Sequence, residues 1–347
     1  MTASNNKTPR LLSIDLGYSA VKVCRYNEEG VLVFDKFISA VARLPNDGLE
    51  PEDNEQIFRL GIDYYALGTA ALKQPRSFLL NLNDFESLKQ AYPVWISYLL
   101  NKYGGVDAFD HVIIGLSIAF RDKADSLLAY LYETLMIDHN KAYFLCLSQG
   151  LVMKEAYFTY GLNLREPSTR TEQKLQNALF IDGGFETLDI VAVTGGKSVL
   201  SGAVGIPNSG VVCIAQQVQD FVYKQYNMRI SIKEAATIVD NRGTFNKRGK
   251  NYNIMDQVDK FSKIYLKNVF DLIEDKFAEY LDAVQGVLVL GGLSYILARY
   301  IEEDDMKAEI EKHFPISFIH YADVDAEYYN CLSYMRIIEK KLGYKID

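Results

Sequence analysis

The sequence predicts an α/β protein of two domains built on one plan. Three observations carry that prediction. Each half of the 347-residue chain opens on a short apolar run that ends in aspartate and glycine, Asp15-Leu-Gly17 and Asp182-Gly183-Gly184. Each opening is followed by two more strand-like runs around a glycine turn, Asn27-Glu-Glu-Gly30 in one half and Gly195-Gly196 in the other. The two aspartates lie 167 residues apart, a domain-sized period that fits gene duplication and not a solenoid of short repeats. A chain of this length also suggests about two domains, or one large one.

In the first half, residues 11–14 are apolar and read as a short buried strand. Val21–Tyr26 alternates as a second strand, and Val31–Phe37 follows as a third, giving a β-meander with hairpin punctuation. Residues 43–56 are rich in Pro, Asp, Asn and Glu and read as an exposed loop, and Leu60–Leu67 as a strand pair. Asp84–Asn101 and Asp122–Met136 have helical apolar spacing, with a buried strand, His111–Gly115, between them. A strand follows over 143–147, and Gln149 opens a helix that runs to Tyr160. Residues 163–177 are polar, contain Pro167, and read as an exposed loop dividing the chain.

The second half repeats the grammar with strands at Ala178–Gly184, Leu188–Val193 and Lys197–Gly202. A helix starts near Ser231. Met255–Val284 is the strongest helical signal. Val258, Phe261, Tyr265, Val269, Ile273, Phe277 and Leu281 fall on one stripe of it. Gly286–Gly292 reads as a buried strand that runs through a diglycine into a helix. Pro315–Ile319 reads as a short strand and Glu327–Leu342 as a closing helix.

Composition excludes several classes. Hydrophobic residues make up 49% and charged residues 24%, a globular balance. With 37 Lys and Arg against 45 Asp and Glu, the net charge of −8 opposes a role in coating nucleic acid, so no direct nucleic-acid partner is expected. Cys24, Cys146, Cys213 and Cys331 form no C-x-x-C pair, which fits a reducing cytoplasm and neither a disulfide framework nor a zinc site. His111, His139, His313 and His320 show no metal-binding spacing and read as structural or surface residues. No run reaches the ~18 apolar residues of a membrane span.

Three segments carry chemistry. In Asp15-Leu-Gly17-Tyr18-Ser19-Ala-Val-Lys22, a glycine turn lets backbone N–H groups approach an anion, Lys22 adds positive charge, and Asp15 can hold a hydrated Mg²⁺. Asp182-Gly183-Gly184-Phe-Glu-Thr187-Leu-Asp189 repeats that chemistry with a hydroxyl at Thr187. Facing each other, two such hairpins can clamp a triphosphate and its metal, since Mg²⁺ is held by one or two carboxylates plus phosphate oxygens. Third, at Gly291-Gly292-Leu293 the missing side chains let a nucleoside lie against the backbone. Read singly, each segment is equally an ordinary hairpin or a strand-to-helix turn.

In this order and spacing, the three segments resemble the phosphate-1, phosphate-2 and adenosine motifs of the actin, sugar-kinase and heat-shock chaperone ATPase superfamily, over most of the chain. Phe144–Leu151 resembles its first connecting motif and Gly202–Gly210 its second. Tyr65–Ala70, Ile114-Gly-Leu-Ser117 and the Thr187-Leu-Asp189 ending resemble the plasmid-segregation (ParM-like) and archaeal actin-like branch. Leu293 stands where glycine is usual, and Tyr18 where many relatives carry a small or hydroxyl residue.

The resemblance implies an actin-like (ribonuclease H-like) duplicated fold, two domains around a nucleotide cleft. Domain I would take residues 1–160 plus about 325–347, and domain II residues 161–324. It implies ATP or ADP with Mg²⁺, Asp15 and Asp182 holding the metal through water, and Gln149 orienting the attacking water with Asp182. Gly17, Tyr18, Ser19, Lys22, Gly183, Gly184, Thr187, Gly291, Gly292 and Leu293 would contact the nucleotide. Lys233 and Glu234 would lie by adenine or ribose, against simple capping chemistry as the alternative. Glu186 would point away from phosphate or order a second water.

The function expected is an ATPase assembling head-to-tail into filaments for plasmid or DNA segregation or intracellular positioning, with a DNA-binding adaptor as a possible partner. A small-molecule kinase or phosphatase, and a scaffold that binds nucleotide weakly, stand as alternatives. The basic segment Arg242–Asn251 reads as a solvated hairpin loop, a polymer contact or the dock for an acidic partner.

Overall fold

The computed structural model describes residues 10–45, 55–80, 82, 84–138, 143–148, 176–195, 197–321 and 326–344. The chain divides into two compact units, Met1–Ala156 with Tyr328–Asp347, and Tyr157–Glu327.

The first unit is organised by a five-stranded sheet in the order β3-β2-β1-β7-β8. Strands β1 (Leu11–Leu16), β2 (Ala20–Tyr26) and β3 (Leu32–Ile38) run antiparallel as a meander. β7 (His111–Leu116) and β8 (Phe144–Ser148) add on in parallel. Every residue of β1 is buried, as expected of a strand covered on both faces. A small sheet of β4 (Val41–Leu44), β5 (Ile57–Leu60) and β6 (Asp63–Leu67) has β6 in its centre. The helices are α1 (Gly68–Leu72), α2 (Phe85–Lys102) and α3 (Ala124–Leu135), with the C-terminal helix, α9 (Tyr329–Leu342), packed on β1 and β7. Cys331, Tyr334, Met335 and Ile338 of α9 join Leu11, Cys24 and Ile113 in one core.

Gly115 shows how closely that helix sits. A Cβ at this position would stand 2.0 Å from the Tyr334 hydroxyl, while the Gly115 carbonyl accepts a hydrogen bond from Tyr92 Oη at 2.8 Å. Two tyrosines thus converge on the end of β7.

The second unit repeats the plan, with sheet order β11-β10-β9-β14-β15. Strands β9 (Ala178–Gly183), β10 (Thr187–Thr194) and β11 (Lys197–Pro207) form the meander, and β14 (Gly286–Leu290) and β15 (Ile319–Tyr321) add on in parallel. The remaining elements are α4 (Val212–Tyr226), α5 (Ile232–Asp240), the ribbon of β12 (Thr244–Lys247) and β13 (Lys250–Asn253), α6 (Met255–Leu281), α7 (Gly291–Tyr300) and α8 (Asp304–Ile310). The stripe of α6 is buried at Val258, Tyr265, Val269, Ile273 and Phe277. The duplicated meander read in the sequence is therefore present in both sheets, with the same strand order.

Several boundaries differ from the sequence reading, each for a local reason. Arg43 and Leu44 are in strand and not loop, because β4 pairs them with Tyr65 and Tyr64 of β6. The strand pair starts at Ile57, turning at Gly61. The first turn of the second predicted helix is a 3₁₀ segment, Ile118–Lys123, capped by Ser117 Oγ, so α3 starts at Ala124. Pro315 is followed by a 3₁₀ turn, Ile316–Phe318, and the strand begins only at Ile319. α6 ends at Leu281, after a break in helical geometry at Phe277. A 3₁₀ turn, Ala326–Tyr328, precedes the closing helix, which starts at Tyr329. α4 and α8 have no counterpart in the sequence reading. The helix opened by Gln149 and residues 163–175 of the polar loop lie outside the described residues.

Candidate functional site

Each unit contributes one Asp-Gly hairpin. In the first, Asp15 is 2% exposed and faces Lys22 directly across β1 and β2. Lys22 Nζ donates to Asp15 Oδ2 at 3.2 Å. The lysine expected to neutralise phosphate therefore first balances the buried aspartate. The Gly17 N–H, expected to point at phosphate, donates to the Ala20 carbonyl at 3.0 Å and closes the turn. Tyr18 is buried, 8% exposed, so its ring is part of the packing under the turn. Ser19 is exposed, and its carbonyl accepts from the Ser39 N–H at 3.0 Å.

The second hairpin has the same register and the opposite charge pattern. Asp182 (6% exposed) lies across from Asp189 (1%), so two buried carboxylates oppose each other where the first hairpin has Asp15 and Lys22. Two nearby carboxylates oppose each other's ionisation unless positive charge intervenes, and a divalent cation is one group able to supply it. Asp189 is a candidate site residue that the sequence analysis leaves without a role. The signal was present: it follows Asp182 by the interval that separates Lys22 from Asp15. Thr187 is buried beside the turn.

The Gly184 N–H donates to the Thr187 carbonyl at 3.0 Å, so it too closes its turn. The carbonyls of that turn are captured by the start of α4. Val211 N–H donates to Gly184 O at 3.0 Å and Val212 N–H to Phe185 O at 2.8 Å, while Ser209 and Gly210 both donate to Glu186 O. Helix-start N–H groups that lack an intrahelical partner thereby hold the turn rigidly. Burial raises the Glu186 carboxyl above its ordinary range, the environment of a group held away from bulk water.

The diglycine belongs to the same corner of the second unit. Gly291 has φ +68°, and a Cβ there would stand 2.4 Å from Asp182 Oδ1. Only glycine lets the backbone lie against that carboxylate. Gly292 sits within reach of the Val211 side chain, 3.2 Å from an added Cβ. Leu293 departs from its expected role. Its side chain is 2% exposed and packs into the space a Cβ on Gly183 would need, 2.2 Å from Leu293 Cβ. The absence of a Gly183 side chain is thus used for helix-on-strand packing, and Leu293 offers a ligand only its backbone.

Glu234 takes the capping arrangement that stood as the alternative in the sequence analysis. It forms a capping box with Ser231, its Oε2 accepting from Ser231 N–H at 2.7 Å while Ser231 Oγ accepts from Glu234 N–H at 3.2 Å. Its other oxygen pairs with Lys247 of the basic ribbon. Capping chemistry accounts for this residue. Replacing Ser231 by Ala should cost about 1 kcal/mol of stability, measured by denaturant unfolding, the ordinary worth of such a cap. Lys233 is partly buried, and desolvation lowers its proton affinity. Gln149 lies outside the described residues.

A family model for the C-terminal part of the archaeal actin homologue MreB-like proteins matches residues 180–303. That span includes the second hairpin and the diglycine corner. No curated protein matches the sequence. Among solved structures, a 15-stranded ParM filament from Clostridium botulinum is 15% identical, with a TM-score of 0.68, over 95% of this chain and 99% of that one. The archaeal actin homologue Ta0583, in complex with ADP, is 16% identical with a TM-score of 0.65, over 95% and 99% of the two chains. MreB 5 of Spiroplasma citri, bound to AMPPNP, is 15% identical with a TM-score of 0.63, over 96% of each. Identities this low establish the fold alone. The strand order repeated in both sheets and these near-complete structural overlaps show an actin-like fold, and the family match across the second hairpin agrees with it.

Proposed function

We propose that the protein binds ATP with Mg²⁺ through both Asp-Gly hairpins, hydrolyses it slowly, and couples that cycle to head-to-tail self-assembly. The observation that carries the reading is the duplicated hairpin with a buried aspartate at each first-strand end. Two carboxylates opposed in the second hairpin offer oxygen ligands to a cation. The diglycine lets the backbone lie directly against Asp182 and keeps side chains out of that corner. Solved relatives with ADP and AMPPNP support nucleotide as that ligand, and a ParM filament supports assembly.

In this reading Asp182 and Asp189 hold the metal and its waters, with Asp15 sharing the metal's waters and Lys22 meeting the phosphates. The turns at Tyr18-Ser19 and Phe185-Glu186 present backbone to the phosphates in place of the Gly17 and Gly184 N–H groups. Gln149 orients the attacking water, a task of positioning more than of proton abstraction. The adenosine end rests on Gly291 and Gly292, with Lys233 at the ribose or base. Contacts between copies are heterologous, so they propagate instead of closing. Segregation of DNA through an adaptor, in the cytoplasm, is the cargo role that fits an acidic chain. Among the described residues no helix is long and apolar enough to cross a membrane.

The test is light scattering and electron microscopy of the purified protein with ATP, ADP or no nucleotide, in Mg²⁺. Scattering should rise only with nucleoside triphosphate and above a critical concentration. Nucleotide binding without polymer at any concentration would remove the assembly half of the proposal and leave the ATPase half.

A further inference from the structure

A second polar cluster of the Tyr157–Glu327 unit lies on α6 and the segment after α8. Asp271 and Glu274 project from α6, Glu309 from α8, and His313 from the turn that follows. One ligand atom each from Asp271, Glu309 and His313 lie within 4.8 Å of one another. The imidazole is 5% exposed, and its plane is fixed by stacking on Phe270 at 6.2 Å between centroids.

The two ring nitrogens are in different situations. Nδ1 is bonded to Glu274 Oε2 at 2.7 Å. Nε2 is buried and has no hydrogen-bond partner among the described residues, yet it stands 3.5 Å from Asp271 Oδ1. A histidine that donates Nδ1–H to a carboxylate turns its Nε2 lone pair outward, the carboxylate–histidine arrangement that orients metal ligands. In that tautomer the lone pair faces the Asp271 carboxylate, so an electron-rich group meets an electron-rich group across a gap. Two ligands of a tetrahedral Zn²⁺, each about 2.1 Å from the ion, stand about 3.4 Å apart. The Nε2–Oδ1 separation already matches that edge.

We propose that Asp271, Glu309 and His313 form a binding site for Zn²⁺, with water as the fourth ligand and Glu274 fixing the tautomer of His313. The ion would staple the long helix α6 to the segment leading into β15. Glu309 is the ligand that must be recruited. Lys312 Nζ holds its Oε2 at 2.5 Å and Lys267 Nζ holds its Oε1 at 3.2 Å, so both lysines compete with the metal for it. The site is distinct in chemistry from the hairpins, which offer only oxygen.

The experiment is a Zn²⁺ titration of the full chain against a chromophoric chelator, without nucleotide, in an Asp182→Asn background that weakens the hairpin carboxylates. Co²⁺ as a probe reports geometry through its visible absorption. One equivalent should bind, with an intense tetrahedral Co²⁺ band. His313→Ala and Asp271→Asn should abolish the band, and Glu274→Gln should weaken binding by about 10- to 100-fold, the usual loss for an orienting partner. Lys312→Gln should tighten binding. His313→Gln serves where the alanine variant loses its native circular dichroism. Zn²⁺ affinity unchanged in both His313 variants, or only the weak absorption of octahedral Co²⁺, would overturn the site. So would a His313 ring that carries a proton on Nε2 in saturating Zn²⁺, read by ¹⁵N NMR, since the clamp between Asp271 and Glu274 would then be an imidazolium.

Discussion

Replacing Asp182 by Asn is expected to lower the turnover of ATP by about 100- to 1,000-fold, the loss typical of one preorganised electrostatic contact at a reacting centre. The substitution keeps volume and shape at a position only 6% exposed, beside a glycine backbone that tolerates nothing larger. What it removes is one of the two opposed negative charges. Phosphate release and the far-ultraviolet circular dichroism should be measured on the same preparation. Turnover retained within about threefold, with native dichroism, would take the metal away from Asp182. Asp189→Asn should follow in the same direction, because the two side chains share one face of the β9–β10 pair.

Gly115→Ala is expected to cost about 3 kcal/mol of stability, the upper range for forcing a methyl group into a packed core. The new methyl would stand 2.0 Å from Tyr334 Oη and 2.1 Å from its Cζ, both in a side chain with no exposed surface. Neither neighbour can yield cheaply. Tyr334 belongs to the core that ties α9 to the sheet, and Tyr92 is bonded to the Gly115 carbonyl. The measurement is chemical denaturation of four proteins: parent, Gly115→Ala, Tyr334→Ala and the double variant. If the clash is the cause, the glycine substitution costs much less in the Tyr334→Ala background than in the parent. Equal costs in the two backgrounds would refute it.

Much of the fold could be read from residues because its signals are local. The two meanders show as apolar runs broken by glycine turns, and α6 as a single stripe of apolar residues. What the chain conceals depends on neighbours remote in sequence. Arg43 and Leu44 become strand only because Tyr65 and Tyr64 lie alongside. α8 is seven residues long, too short for periodicity to announce it. The site divides the same way. The aspartates and glycines of both hairpins are visible as a repeated pattern. Leu293 looks like a ligand position by its place after the diglycine, but Gly183 leaves a hollow that its side chain fills. Ser231 three residues before Glu234 is a legible capping box, whereas the pairing of Glu234 with Lys247 depends on the ribbon thirteen residues on. His313 shows no metal-binding pattern among the histidines, because Asp271 and Glu274 come from α6, some forty residues earlier, and only Glu309 lies near it in sequence.

The grip of α4 on the second hairpin makes the turn and the helix one lever. Four N–H groups at the helix start hold three successive turn carbonyls, so the turn cannot tilt without carrying α4 with it. A 15-residue helix extends roughly 22 Å from that fulcrum. Its far end reaches Met228 and Ile230, which lie in the same core as Ile214 and Val218 of the helix itself. A ligand that shifts Gly184–Glu186 by a fraction of an ångström would therefore be felt at Tyr226 as a swing. The work done at the turn would reappear a helix-length away, with no intervening hinge to absorb it.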